Sequence, residues 1–133
     1  MSEELLQTTT VFDPLALRIG NVVNKGTSIR NGVIKGDQGW MIRGEFHGDL
    51  EISDGTLWIE DGAKVTGRIR VKGQAFVFGQ VGEHEGDHET VFSCDGNLHL
   101  TSTSVVFGEV RYRELTTYSG ARVSCRMDTL RDD

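Results

Sequence analysis

The stretch Ala63-Lys64-Val65-Thr66-Gly67-Arg68-Ile69-Arg70-Val71-Lys72-Gly73-Gln74-Ala75-Phe76-Val77-Phe78-Gly79-Gln80-Val81 decides the fold. Every odd position in it is apolar or Gly, and Lys64, Thr66, Arg68, Arg70, Lys72 and Gln74 stand between them. Period two is the signature of strand with one face buried. An antiparallel meander would interrupt it with Asn-Gly or Asp-Gly turns. Here Gly67, Gly73 and Gly79 fall in phase with the inward side instead. An inward Gly lets the chain turn a corner without a clashing side chain. Strand, Gly corner, strand is how a β-solenoid winds.

Internal repeats support the same reading. An apolar residue, any residue, Gly, any residue and an apolar residue recur as Phe46–Leu50, Val65–Ile69, Val77–Val81 and Val106–Val110. Val123-Ser124-Cys125-Arg126-Met127 is a last copy with Cys in the Gly position. A small residue stands two before the motif at Ala63, Ser104 and Ala121. The steps between copies are 19, 12, 29 and 17 residues. The first and last fit one rung. The middle two together span about two, which puts the copy at Val77 out of phase. A shortened rung near Arg70–Gln74 and an insertion after Val81 account for it.

Composition bounds the function. At 133 residues the chain suits one domain. It has 37% hydrophobic and 26% charged residues and no apolar run of membrane-spanning length. No basic start leads into an apolar stretch, so a cleaved secretory signal is not expected. A net charge of -6 argues against nucleic-acid binding, which needs cations to neutralise phosphates. Seventeen Gly against one Pro point to regular β structure with many corners, not to a linker. Cys94 and Cys125 belong to no CxxC pair, and reduced thiols are the expectation.

Residues 1–25 read differently. Val11, Phe12, Leu15, Leu17 and Ile19 fit no single period, and Pro14 interrupts any helix. This segment reads as a disordered arm, with an arm folded back over the domain as the competing reading. Residues 26–127 form the solenoid, with an acidic loop inserted at 82–95, and 128–133 form a short tail.

The run from Gly26 to Ile69 holds Val33-Ile34-Lys35-Gly36, Met41-Ile42-Arg43-Gly44-Glu45-Phe46-His47-Gly48-Asp49-Leu50 and Leu57-Trp58-Ile59-Glu60-Asp61-Gly62-Ala63. Gly108-Glu109-Val110-Arg111-Tyr112-Arg113-Glu114-Leu115 and Gly120-Ala121-Arg122-Val123 close it. In order and spacing, these motifs resemble the bactofilins, bacterial polymer-forming cytoskeletal proteins. The resemblance implies an all-β fold, a single right-handed β-helix with disordered tails. It also implies end-to-end filaments that need no nucleotide or other cofactor. Such filaments scaffold cell-shape or cell-envelope machinery, including peptidoglycan-synthesis proteins, from the cytoplasm at the inner face of the membrane. Three features depart from the family pattern. Val123 stands where Phe is usual, Cys125 stands where Gly is usual, and the middle rungs carry the insertion. The start, with Glu3 and Glu4 beside Leu5 and Leu6, is acidic, so membrane binding is not carried over.

The residues that could carry catalytic or metal chemistry are few. Glu83-His84-Glu85-Gly86-Asp87-His88-Glu89 offers imidazoles four apart, a spacing that zinc uses on a helix. Gly86 and the crowded carboxylates work against a helix there, so the segment reads as a solvated loop. His47 and His99 each sit between inward-facing residues and so point outward. No nucleophile elbow, phosphate loop or dinucleotide fingerprint is present. The expectation is no catalytic residue and no metal. A trimeric hexapeptide-type β-helix enzyme and a capped monomeric binding module are the rival classes.

Two surfaces are candidate sites. Only six residues follow Met127, too few for a cap, so the last rung is expected to be open. Ala121, Val123, Cys125 and Met127 then form a polymerisation interface. Trp58, Phe76, Phe78 and Phe107 fall in the outward phase. They form either a lateral contact or a patch covered by an arm at Val11–Ile19.

Overall fold

The computed structural model describes residues 19–84, 87 and 89–130. Eleven strands and no helix make up the described chain, and every strand pairing is parallel. The strands are β1 (Ile19–Val23), β2 (Ser28–Gly36), β3 (Gly39–Ile42), β4 (Glu45–Ile52), β5 (Leu57–Ile59) and β6 (Lys64–Val71). They continue as β7 (Ala75–Val77), β8 (Gln80–Val81), β9 (Val91–Leu100), β10 (Val105–Thr117) and β11 (Arg122–Thr129). The pairing path β1-β3-β5-β7-β9-β10-β8-β6-β4-β2, with β11 on β10, is a β-solenoid of about six turns. Parallel strands one coil apart need no crossover helix, because the coil itself returns the chain to the same edge.

Like residues stack on like. Phe46, Val65, Val81, Val106 and Val123 form one inward column, and Leu50, Ile69, Phe92, Val110 and Met127 form a second. Across the coil, Ile42, Ile59, Val77 and Leu100 form a third. Most members are no more than 1% exposed, and each such aliphatic side chain contributes roughly 1.5–3 kcal/mol. The small residues Ala63 and Ser104, two before the repeat, are also buried.

Phase explains the irregular repeat spacing. Lys64 pairs with Gln80, 16 residues on, whereas Arg68 pairs with Val91, 23 residues on. Val81 is therefore the residue in register with Val65, and the copy that begins at Val77, four residues earlier, belongs to the column of Ile59 and Leu100 instead. Between them the chain leaves the coil after Val81 and rejoins it at Val91, an excursion that adds seven residues. It is shorter than the expected loop at 82–95. Val91 to Asp95 belong to β9, and Phe92 and Cys94 are core.

The coil also begins earlier than residue 26. Ile19–Val23 form β1 and pair with β3, with a register shift between Ile19 and Asn21. That irregularity breaks the two-residue period and hides the strand from a pattern reading. At the other end β11 runs to Thr129, into the expected tail. Residues 1–18, where the arm was expected, lie outside the described residues.

Candidate functional site

The two ends of the coil differ from its middle. Val106 is 1% exposed, but Val123, stacked on it in the last rung, is 38% exposed. Ala121, Cys125 and Met127 lie partly buried against the core beside it. The first three expected interface residues thus sit with Met127 on one terminal layer. No described strand pairs with the outer edge of β11. Leu115, in the second half of β10, lies partly buried in the terminal layer of the other sheet. Cys125 occupies the register position of Gly108, and burial raises its thiol pKa.

The first rung has the same character, and sequence reasoning passed over it. Ile29 pairs with Phe46 and Ile34 with Leu50, so both belong to the inward columns. Both are only partly buried, because no rung precedes them among the described residues. The signal was masked by one residue. Asn31 adopts φ 56° and has no partner between Arg30↔His47 and Gly32↔Gly48. This β-bulge shifts Ile34 out of simple alternation with Ile29.

The four outward aromatics separate into two places. Trp58 pairs with Phe76, and Phe76 with His99, on the outer face of β5, β7 and β9. Trp58 packs on Phe76 with centroids 5.9 Å apart and on Phe78 at 4.7 Å. Phe76 stacks on His99 at 4.3 Å with planes 5° apart. Burial lowers the His99 pKa, which favours the neutral ring. The Trp58 indole N–H donates to Glu60 at 2.8 Å. These side chains point outward as expected, yet Trp58 is 7% and Phe76 3% exposed. Phe107 does not join them. It lies on β10, beside Gly82 at the root of the excursion.

The excursion is organised by Asp87. Its Oδ2 accepts from the Glu83 amide and the Thr90 hydroxyl, both at 2.8 Å. Its Oδ1 accepts from the Glu89 and Thr90 amides at 2.8 and 3.1 Å. Burial raises the Asp87 pKa, but these hydrogen bonds to the charged form outweigh it and hold the pKa below its usual value. Lys64 donates to Glu83 at 2.9 Å and lowers that carboxyl too. Thr90 rejoins the coil, with its hydroxyl accepting from Gly67 N and its carbonyl from Glu109 N. His47 bonds Thr66 and Glu45 on the face below. Among the described residues no group of three or more His, Cys, Asp or Glu is gathered as for a metal ion. Glu85 and His88 lie outside the described residues.

All four Asp87 bonds are internal to the excursion; Gly82 N bonds the Val65 carbonyl at its root, and the exposed Lys64–Glu83 pair ties the loop beyond it to β6. Such an exposed pair is screened by solvent and adds little to stability. Replacing 83–89 by a short Gly/Ser loop, with Gly82 and Thr90 kept, should therefore leave β circular dichroism and assembly intact. Acid should act locally instead. The folded pKa of Asp87 lies below the unfolded one, so its contribution is present above the ordinary carboxylate range and lost as pH falls through the folded value. Amide exchange at Glu83, Glu89 and Thr90 should accelerate below that value, and Asp87→Asn should remove the pH dependence. Collapse of the fold in the loop replacement would show that the excursion is structural.

The fold defines a class of protein, a parallel β-solenoid whose terminal rungs leave apolar side chains only partly buried among the described residues. The comparison with known families agrees. The model for bactofilin, described as polymer-forming cytoskeletal, matches residues 21–128, most of the chain, and the protein belongs to the bactofilin family. No curated protein and no solved structure matches it significantly. Among the described residues no helix is long and apolar enough to cross a membrane.

Proposed function

We propose that this chain is a filament subunit, joined end to end through its terminal rungs without nucleotide. The observation that carries the proposal is the inward column that ends half-open at Val123. The column buries Val65, Val81 and Val106 completely and then runs out. A matching layer from another subunit would complete it, as each rung completes the next within the chain. Ala121, Cys125 and Met127 supply the rest of that interface, and Ile29 and Ile34 supply the opposite end. Strand edges that no described strand pairs, at both ends, would add backbone donors and acceptors to each joint.

If each end joins its own kind, the joints are two-fold and alternate, and the filament has no polarity. The role that fits such a polymer in this family is a cytoplasmic scaffold for cell-shape and envelope machinery, at the inner face of the membrane. Neither a trimeric enzyme nor a capped monomeric module requires an apolar layer at each end of the coil.

Assembly should be indifferent to nucleotide, because stacking needs no switch. Sedimentation of the purified protein should yield the same pelleted fraction with ATP, GTP or neither. Polymer that forms only with a nucleotide would refute the proposal.

A further inference from the structure

The outer face built by the second halves of β2, β4 and β6 and the first half of β9 carries its charge in bands. β4 presents Asp49 and Glu51, and β6 presents Arg68 and Arg70 directly above them in register. Below, β2 presents Val33 and Lys35, and above, β9 presents Val91 and Ser93. Along the coil, one column therefore reads Val, Asp, Arg, Val and the next reads Lys, Glu, Arg, Ser. Val33 is 65% exposed, the most of any large apolar side chain among the described residues. Asp49, Arg68 and Arg70 are exposed too, and Glu51 is half-buried. Among the described residues none of these four charged side chains has a hydrogen bond or ion pair. The next rung differs, for there Glu109 takes Arg111 at 2.7 Å and Arg126 at 3.0 Å.

We infer that a second copy of this chain packs side by side on this face, antiparallel, about a two-fold axis that runs along the strands between β4 and β6. The pattern is self-complementary about that axis. Asp49 meets Arg68 of the second copy and Glu51 meets its Arg70, and each pair occurs twice. One strand further out, Val33 meets Val91 and Lys35 meets Ser93, so no charge is set against a like charge or an apolar residue. A copy turned about the coil axis instead would set Asp49 against Glu51 and Arg68 against Arg70. Like charges so placed repel, and the bands therefore select the antiparallel arrangement. A partner of one sign would satisfy one band and oppose the other, whereas a second copy brings both. A shallow groove of about 470 Å³ over these residues leaves room for its arginine side chains. Strands spaced by about 4.8 Å make the contact roughly 19 Å long, small beside the ~800 Å² per partner of a stable complex, so free subunits meet only transiently. Subunits stacked end to end repeat it, and avidity holds the pair. Two filaments joined this way lie side by side, each still one coil wide. The inference rests on end-to-end stacking for its strength, not for the contact itself.

Disulfide trapping tests it, because oxidation captures the contact even between free subunits. Val33→Cys chains mixed with Val91→Cys chains should become linked through the introduced thiols, with the bond identified by mass spectrometry of the joined peptides. Positions 33 and 91 of one chain are three strands apart, about 14 Å, too far to bridge within it. Two charge backgrounds separate the contact from folding. One carries Arg68→Glu with Arg70→Glu, and the other carries Asp49→Arg with Glu51→Arg. With both thiol chains in the same background the facing bands repel, and the yield should fall about tenfold or more. With the Val33→Cys chain in the first background and the Val91→Cys chain in the second, the facing bands attract, and the yield should recover. Each chain carries the same internal repulsion in both experiments, so misfolding would not be rescued by mixing. Equal yields in matched and mixed backgrounds would overturn the inference. So would linkage of Val33→Cys to Lys35→Cys chains in place of Val91→Cys, which reports the parallel arrangement. Absence of the 33–91 link with the natural charges would overturn it as well, and sedimentation of the same sample reports separately whether filaments form.

Discussion

Val123→Arg should abolish filaments and leave a folded dimer. Val123 stacks on Val106 and faces the open end, so an Arg there can turn its guanidinium into water in the free subunit. In a joint between two last rungs the same charge is desolvated with no partner. A loss of about 3 kcal/mol in that joint raises the concentration needed for assembly on the order of 100-fold. The joint at Ile29 and Ile34 is untouched, and with ends joined like to like it still pairs two subunits. Light scattering behind size exclusion should report twice the 14.7 kDa chain. A monomer would mean that each last rung meets a first rung and that the filament has polarity. Val65→Arg is the control. Val65 is 0% exposed with Phe46 below and Val81 above, so the charge has no route to water. Its cost of more than about 4 kcal/mol is a large share of a domain's total stability, and the protein should unfold. Filaments of Val123→Arg at wild-type concentrations would place the joint elsewhere.

Gly67→Ala should lower stability far more than its one added methyl suggests. Gly67 has φ +106° and sits directly above Gly48 in the register of β6 on β4. A Cβ there would lie far inside contact distance of the Gly48 carbonyl, a backbone group that cannot swing aside. Relief requires the two rungs to part where Thr90 also bonds Gly67 N. Gly62→Ala separates this clash from conformational strain. Gly62 has φ +93°, yet a Cβ there meets nothing within 4 Å. The left-handed backbone alone costs roughly 1–2 kcal/mol. Gly67→Ala adds the steric term and should cost at least about 3 kcal/mol, a fall in Tm of about 10 °C for a domain of this size. Equal Tm shifts for the two variants would mean that the rungs are not packed this tightly at the corner.

How much of this was legible in the sequence depended on local regularity. β6 reads directly because Val65, Gly67, Ile69 and Val71 alternate without interruption, and the inward phase of Gly67 already signalled a coil. β2 was obscured by one extra residue, Asn31, which hid Ile29 and Ile34 as end residues. β9 is obscured because polar Asp95-Gly96-Asn97 follows Cys94 closely, so Phe92 and Cys94 read as part of the acidic loop. The outward direction of Trp58 and Phe76 followed from parity. Their burial did not, because a strand's own period carries no information about what packs on its outer face, here the rings of neighbouring rungs and of Phe78. Phe107 shared the parity of the other aromatics but lies on another sheet, a distinction that depends on where the corners fall.

Electron microscopy of the purified wild-type protein in nucleotide-free buffer tests the central claim most directly. Six turns at about 4.8 Å give a subunit length of roughly 29 Å along the coil. The account predicts unbranched filaments one coil wide, with an axial spacing of about 4.8 Å from the rungs. Like-to-like joints double the subunit length to a true repeat of roughly 58 Å. Monodisperse particles of a single chain or a closed trimer, at concentrations where the family's polymers would form, would contradict it.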